Sequence, residues 1–598
     1  MKKSVFRACA SATVMAMAAG LIQPAMAQDA AAKEDAGLDE IVVTASSRDK
    51  TQLNSSISVT SVSADLIQNF KPSSEAEVFR LIPGIQVPGT SGPGGNSNIA
   101  VRGLPVATGG SPFVQIQEDG LPVVLFGDMN FGNNDYWARF DATVANVEGV
   151  RGGTAATLAS QAPGAIINYI SQTGKQEGGY VQLSKGVNYN ETKADFRYGG
   201  SLTDYIYFHV GGFVKRGSGP LHAGYNVSDS YQIKANVTRE FDDSKGFIRF
   251  YVKVADTQEP NYTGAPALAT INGKRISNLQ PFTGFDGRRQ SNYSKYNQDM
   301  LILNRDGTLE RAPLDGITTK QKSFGAQLKY DFSDNVTLDN NLRWSSISGG
   351  FASPFFNMAT TASVIGSTFS RPGLPDEKIA SIRYANGPNA GQTYTGKYVD
   401  NNTNVRTNIR DLGSFVNDLA LSTKFDLAGG KLTARAGFFY MDQHIAMDWH
   451  TNKSFREVNG NNPAQLDLYN AAGAKLTQQG IAGYNNNWGD CCARDYDLSY
   501  TDQAPYLALD LDTDKFVIDG SVRFENVKAT GWAQGGGKEF LINSGGVLIS
   551  AMTSNGTRET LDYSRSYTNW TIGGLFKANE NTSVFARTSK GGRFNGDR

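Results

Sequence analysis

Cysteine and histidine are scarce in this sequence, with three and four among 598 residues. Cys9 lies in the N-terminal apolar stretch, which leaves Cys491 and Cys492 as an adjacent pair. One adjacent pair is neither a disulfide framework nor a zinc spacing such as C-x2-C with a second pair. Oxidised, it staples a single turn; reduced, it is two ordinary thiols, and both readings stand. His209, His222, His444 and His450 give no ligand cluster, although His444 and His450 share strand parity, so no metal site and no cofactor is expected. Net charge is lacking too: 57 Lys plus Arg balance 57 Asp plus Glu, and charged residues are only 19 %. No field attracts nucleic acid or an anionic membrane surface. No apolar run reaches the roughly 20 residues of a spanning helix, and mean hydropathy is −0.36. Alternating strands of a membrane barrel escape both arguments. No Ser/His/Asp elbow and no P-loop is present, and pairs such as Asp242-Asp243 sit in turns, so an enzyme is not expected.

The N-terminus is the first positive signal. Lys2, Lys3 and Arg7 precede an apolar stretch from Ala8 to Ile22, and Ala25-Met26-Ala27 has the A-x-A form of a signal-peptide cleavage site. Residues 1–27 are therefore read as a signal peptide, with an uncleaved anchor as the alternative. Residues 28–50 are Ala-rich and polar, a flexible leader broken by one strip, Asp39-Glu40-Ile41-Val42-Val43-Thr44-Ala45. From 51 to 175 short helix and strand signals mix as in a compact α+β domain. Helices are expected over Ser63–Asn69 and Ser73–Leu81, the second capped by Ser73 or Ser74 and stopped by Pro83-Gly84. Strands are expected at Ile99–Val101, Val114–Gln117, Val144–Val150 and Ile166–Ser171.

After Lys175 the period becomes two. Tyr231, Ile233, Ala235 and Val237 alternate with Gln232, Lys234, Asn236 and Thr238; beyond a turn, Ile248, Phe250, Val252 and Val254 oppose Arg249 and Lys253. Such strands have one apolar and one wet face. The same hairpin grammar recurs around Ser333-Asp334-Asn335, Ala428-Gly429-Gly430 and Asn579-Glu580-Asn581, while the connections Thr257–Thr319, Gly349–Ser414 and Asn452–Thr501 are long and polar. Short turns at one end and long loops at the other describe an outer-membrane barrel, with residues 176–598 as its wall. A soluble β-sandwich alternates as well and remains the other reading. About fourteen strand candidates make a lumen wide enough to hold water or a plug, and the preceding domain is the natural occupant.

Ile99-Ala100-Val101-Arg102-Gly103, Ile116 to Val123 with its Asp119-Gly120 turn, and Val147-Glu148-Gly149-Val150-Arg151-Gly152-Gly153 followed by Ala162 to Ile170 resemble the plug motifs of TonB-dependent outer-membrane receptors, in the family's order. Asp39 to Ala45 resembles the TonB box, and Ser589-Lys590-Gly591-Gly592-Arg593-Phe594 a barrel motif of the family. Gly149 stands where the family usually has an apolar residue, and Pro163-Gly164 where it has a Gly pair. The resemblance covers essentially the whole mature chain and implies a mainly β fold, an antiparallel transmembrane barrel around an N-terminal α+β plug. It implies twenty-two strands, so some eight are expected to be missing and the barrel to be incomplete, with an open edge and no stable insertion or transport; a smaller closed barrel is the alternative.

The same resemblance implies the functional residues. Asp39, Glu40, Ile41, Val42, Val43, Thr44 and Ala45 are expected to pair as an edge strand with periplasmic TonB, energised from the inner membrane; a first plug strand is the other reading. Arg102 and Arg151 are expected to lock the plug to barrel acids, with Gly103, Asp119, Gly120, Glu148 and Gly152 shaping the motifs. Phe126, Tyr136, Trp137, Tyr484 and Trp488 are expected at an aromatic ligand mouth. The expected ligand is a ferric siderophore, with an oligosaccharide or other organic nutrient next, the expected setting outer-membrane lipid of a Gram-negative cell, and the expected state a monomer. A passive porin or adhesin is the alternative of another class.

Overall fold

The computed structural model describes residues 55–594 and 596, apart from 96, 106–111, 127–133, 428, 459 and 487–493. The signal peptide, the leader with its strip at 39–45, Trp488, Cys491 and Cys492 lie outside the described residues.

The N-terminal unit is built on a sheet of β1 (Ser58–Ser63), β4 (Val114–Glu118), β5 (Leu121–Pro122), β6 (Val144–Arg151) and β7 (Ala165–Ser171), in the order β1-β6-β7-β4-β5. A separate two-stranded sheet holds β2 (Ile85–Thr90) and β3 (Ser97–Val101). Helix α1 (Ala64–Phe70) starts where Ser63 Oγ accepts from Leu66 N at 3.3 Å, and α2 (Glu75–Phe79) where Ser74 Oγ accepts from Glu77 N at 3.4 Å. Both are serine N-caps, the first on an exposed helix start and the second on a partly buried one. Each expected strand is present within two residues of its expected ends, whereas β1 was not expected. Its Ser-Val-Thr-Ser-Val-Ser run carries only two apolar side chains, Val59 and Val62, both buried.

Two turns demand unusual backbone. Arg102 and Gly103 have φ of 46° and 77°, and Asp119 and Gly120 have 52° and 86°. Paired positive φ values are those of a type I′ turn, for which Asp-Gly is the preferred dipeptide. The second turn sets Glu118 opposite Leu121 and so joins β4 to β5.

The remainder forms one long antiparallel ladder of β8 (Gly178–Lys185), β9 (Glu191–Thr203), β10 (Ile206–Gly217), β11 (Ser228–Glu240), β12 (Gly246–Glu259), β13 (Gly316–Ser333), β14 (Val336–Phe355), β15 (Tyr398–Asp411), β16 (Ser414–Leu427), β17 (Gly430–Glu457), β18 (Asp495–Thr513), β19 (Phe516–Gln534), β20 (Glu559–Asn579) and β21 (Thr582–Lys590). β15 and β16 share both neighbours, β14 and β17, and form one wall strand interrupted at Leu412-Gly413. Counted so, the ladder has thirteen strands among the described residues, and counted as segments fourteen; four shorter segments, Met358–Thr360, Ile481–Tyr484, Gly536–Ser544 and Val547–Ser554, join the same sheet. The strands follow one another in the order of a barrel, and among the described residues the register joins β8 only to β9 and β21 only to β20. The globule lies against both ends of the ladder. Its α1 touches the first wall strand, Gln68 Nε2 donating to Gln182 Oε1 at 3.1 Å, and its Ser56 Oγ accepts from Arg587 Nη2 of the last at 2.6 Å.

Alternation sorts the wall as expected. Ile233, Val237, Phe250, Val252, Phe324, Trp344, Leu421, Phe438, Leu509, Ile518 and Trp570 are all exposed, although they lie in central, fully paired strands. In the register Val252 pairs with Phe324 and Phe324 with Trp344, so the apolar residues form one belt. An exposed belt of this kind is the lipid-facing surface of a membrane barrel.

Inside, a single core joins the two parts: Ile116, Phe126 and Trp137 of the plug pack with Ile347, Phe439, Leu498 and Val527 of the wall. Gly149 is part of this economy of space, since a Cβ there would lie 2.6 Å from Ile82 Cγ2. Replacing Gly149 by Val is expected to cost about 1–3 kcal/mol through overpacking against the buried Ile82. Urea-dependent protease cleavage of the N-terminal unit measures this, and an unchanged midpoint would show that the strand tolerates a side chain there.

Candidate functional site

The contact between plug and wall is the most elaborate polar assembly in the molecule. Lys234 of β11 and Lys253 of β12 sit directly opposite each other in the strand register. Like charges in that relation repel. Between them comes Glu118, the last residue of β4: its Oε1 accepts from Lys234 Nζ at 2.8 Å and from Lys253 Nζ at 2.9 Å. All three are nearly excluded from solvent, with side-chain exposures of 9 %, 12 % and 4 % for Glu118, Lys234 and Lys253. Burial alone drives the Glu118 carboxyl upward, but Lys234, Lys253 and Arg343 outweigh it and hold it well below the usual carboxylate range.

Further hydrogen bonds surround this centre. Lys253 Nζ also donates to Trp137 O at 3.0 Å. Gln232 Nε2 donates to Asp141 Oδ2 at 2.6 Å, and Gln443 Oε1 accepts from the backbone N–H groups of Leu125 and Phe126 at 3.0 and 3.3 Å. The carbonyl of Asp119 accepts from Asn341 Nδ2 at 2.6 Å, while its carboxylate accepts from Ser171 N and Oγ at 2.8 and 2.7 Å. On another side Ser160 Oγ donates to Glu525 Oε2 at 2.9 Å and accepts from Arg523 Nη2 at 2.9 Å. The Ser589 to Phe594 segment also reaches the plug. Phe594 packs edge-on to Phe126 with centroids 6.0 Å apart, and Arg593 Nη1 donates to Pro112 O at 2.8 Å.

Several expected residues take other places. Arg102 and Arg151 form no ion pair with a wall acid among the described residues. Arg102 Nη2 donates to Ser58 Oγ at 2.7 Å, and Arg151 bonds the carbonyl of Pro83. Burial and then the neighbouring Arg102 charge push the Arg151 guanidinium down. Both face the plug's own β1 and the turn at Gly84, so the lock has the opposite polarity, a plug acid held by wall cations. Gly152, with φ of 93°, lies where a Cβ would come within 2.9 Å of Arg102 Nη1, and Gly103 and Gly120 occupy the two turns. Glu148 is 1 % exposed in β6, between Ser61 and Asn168 of the adjacent strands.

The aromatic mouth is also corrected. Phe126, Tyr136, Trp137 and Tyr484 are each no more than 2 % exposed. Phe126 stacks on Tyr500 with centroids 4.7 Å apart, and Tyr484 OH is 3.0 Å from Ser544 Oγ. These rings fill cores and offer no face to a ligand.

Comparison with known proteins places this geometry. Residues 51–166 match the family model described as the TonB-dependent Receptor Plug Domain. Among solved structures, the ferric-catecholate import receptor Fiu of E. coli K12 in its open form has 13 % identity and a TM-score of 0.55, over 91 % of this chain and 71 % of that one. The siderophore receptor PiuA of Acinetobacter baumannii has 16 % identity and a TM-score of 0.55, over 92 % and 66 %. The ferric yersiniabactin uptake receptor FyuA of Yersinia pestis has 15 % and 0.52, over 89 % and 64 %. The chain thus spans about two thirds of the length of these receptors and shares their fold, a β-barrel wall around an N-terminal unit that matches the plug-domain model.

Substituting Glu118 by Gln leaves two buried ammonium groups facing each other and is expected to loosen the plug by about 3–5 kcal/mol, the usual cost of breaking a buried pair. A depressed carboxyl pKa contributes stability that is present above the unfolded value of about 4.3 and is lost as pH falls toward the folded one. Protease protection of the plug is therefore expected to stay level from neutral pH down to about 5 and to decline below about 4.3. The Gln variant is expected to lack that part of the decline.

Proposed function

We propose that this protein, a TonB-dependent receptor plug domain held in an outer-membrane barrel, carries out energy-coupled uptake of a scarce ligand, a ferric siderophore. The observation that carries the reading is the obstructed lumen. A plug anchored by buried ions and by a shared apolar core does not leave by thermal motion at a useful rate, so passage requires work done on it. That separates this reading from a passive porin, whose lumen stays open.

The work enters through the leader. Ile41, Val42 and Val43 are β-branched and flanked by polar residues, which suits pairing as an added strand on the sheet of periplasmic TonB. Pull transmitted through residues 46–57 arrives at Ser56 and β1. Ser56 Oγ accepts from Arg587 Nη2 at 2.6 Å and Ser56 O from Arg587 Nε at 3.3 Å, so the first described plug residues are clasped to the last wall strand. The siderophore class is supported by the fold shared with receptors of that description and by the plug-domain match.

Deleting residues 39–45 tests coupling. Ligand binding to whole cells is expected to stay within about twofold of the intact protein, since the role proposed for the strip is periplasmic, while accumulation of a labelled ferric siderophore falls at least tenfold. Equal accumulation with and without the strip would refute the coupling role, and normal growth of a gene-deletion strain under iron limitation would refute the ligand class.

A further inference from the structure

The outward face of the wall is interrupted at one place. Between β18 and β19 the register runs from Gln503 opposite Asn526 directly to Tyr506 opposite Arg523, so Ala504 and Pro505 stand against Phe524 and Glu525 without pairing. On its other side Pro505 is in register with Phe438 of β17. Proline has no N–H for a ladder and is normally kept to sheet edges and bulges. Here it lies in a strand with neighbours on both sides, and the outer surface is dented beside it. The dent has a volume of about 430 Å³, with Phe438, Pro505 and Phe524 in its lower half and Gln503, Asn526 and Ser566 in its upper half.

Its height on the wall follows from the chain. β18 and β19 are joined at Asp514-Lys515, one of the short turns, and from there the outward residues of β19 are apolar, with Phe516, Ile518 and Phe524 each about half exposed. The eight steps from Phe516 to Phe524 rise about 26 Å along the strand. At the tilt of a membrane barrel this is most of the roughly 25 Å apolar band. Beyond Phe524 the outward residues change character: Gln503 and Thr501 on β18, Asn526 and Lys528 on β19, Ser566 and Ser564 on β20. The dent therefore straddles the rim of the band at the end that faces the long connections, the outer leaflet.

A hollow in a lipid-facing surface is continuous with the lipid and takes its occupant from it. Three apolar side chains at the bottom suit an acyl chain. The polar half is made of amides and a hydroxyl, Ser566 Oγ donating to Asn526 Oδ1 at 3.0 Å, and such groups pair with a linkage that itself both donates and accepts. The ester linkages of a glycerophospholipid only accept. Amide-linked, hydroxylated acyl chains do both, and they are the chemistry of lipopolysaccharide. Its phosphate, one step higher, meets Lys528, whose side chain is 58 % exposed and whose Nζ lies 3.8 Å from Asp562 Oδ1.

We propose that the dent at Pro505 seats one molecule of lipopolysaccharide, with an acyl chain against Phe438, Pro505 and Phe524 and its amide and hydroxyl groups on Gln503, Asn526 and Ser566. The lipid then covers the interrupted ladder, where hydrocarbon alone gives backbone amides no partner. The site rests on the wall being a membrane barrel and uses neither the plug nor the strip at 39–45, so its test and that of the uptake reading fail independently.

The whole protein, purified in detergent and washed free of lipid, is titrated with lipid A and, in separate arms, with phosphatidylethanolamine and phosphatidylglycerol, and bound lipid is counted by native mass spectrometry. One lipid A per chain is expected, with a Kd of about 10 μM or tighter, and each phospholipid is expected to bind at least tenfold more weakly. Gln503→Trp fills the dent from an exposed position and is expected to weaken lipid A binding at least tenfold. The double variant Asn526→Ala with Ser566→Ala, also exposed, keeps the dent but removes its polar half, and is expected to weaken binding at least threefold. Absence of retained lipid A overturns the proposal, as does a phospholipid held equally well. So does lipid A binding that neither variant changes, since it then occurs elsewhere.

Discussion

The arrangement of this molecule turns on two lysines that face each other across adjacent wall strands. Lys234 and Lys253 are register partners, and a barrel with an empty, water-filled lumen would keep both hydrated at little cost. Filling the lumen removes that water. The filling body must then bring an anion to the same spot, and Glu118 is that anion. Once all three are buried, withdrawing the plug means either rehydrating the whole trio or leaving charges unpaired at several kcal/mol. The ion trio therefore gives the plug a defined seat, which a purely apolar contact between the two would specify less sharply.

Placement of the anion depends on local backbone. Glu118 ends β4 immediately before Asp119-Gly120, and the positive φ values of that pair reverse the chain within two residues. The same turn presents the Asp119 carbonyl to Asn341 of the wall and folds its carboxylate back onto Ser171. One tight turn thus does three things. It closes the β4–β5 hairpin, ties it to β7 and aims Glu118 at the lysine pair. The Asp119-Gly120 motif is, physically, the device that registers plug against wall.

Much of this was legible before any coordinates. Period-two alternation put Lys234 and Lys253 on the wet face and Val252, Phe250 and Val237 on the apolar one, and the wall obeys it because each strand is long and its outward face meets lipid. The first plug helix was placed to within a residue, and a serine cap located the second to within two. What failed were inferences that require knowing which distant residues meet. Arg102 and Arg151 looked like the lock because guanidinium groups beside glycine suit carboxylates, yet the plug folds them onto Ser58 and the Pro83 carbonyl. The better signal was present in the strands: two lysines at equal distance from one turn, in Lys234 and Lys253, are cross-strand neighbours in any tight hairpin, and such a pair calls for an acid. Aromatic residues misled for a related reason. Phe126, Tyr136 and Trp137 flank a Gly- and Asn-rich stretch that reads as a loop, but a ring gains more from burial than from exposure, and all three are buried in the core.

Where recognition sits follows from that last point. With the plug's rings committed to the shared core with the wall, their burial serves rigidity, and a ligand must be read by what remains accessible among the long connections. Those connections are rich in amides and hydroxyls and poor in exposed aromatic faces. Amides held by one another, as Asn386 and Gln465 are, keep fixed orientations without net charge. Such a surface discriminates by the pattern of donors and acceptors, and salt screens it far less than it would a charged one. Transit rests on other physics: buried ions in the lumen resist movement until work is done on them.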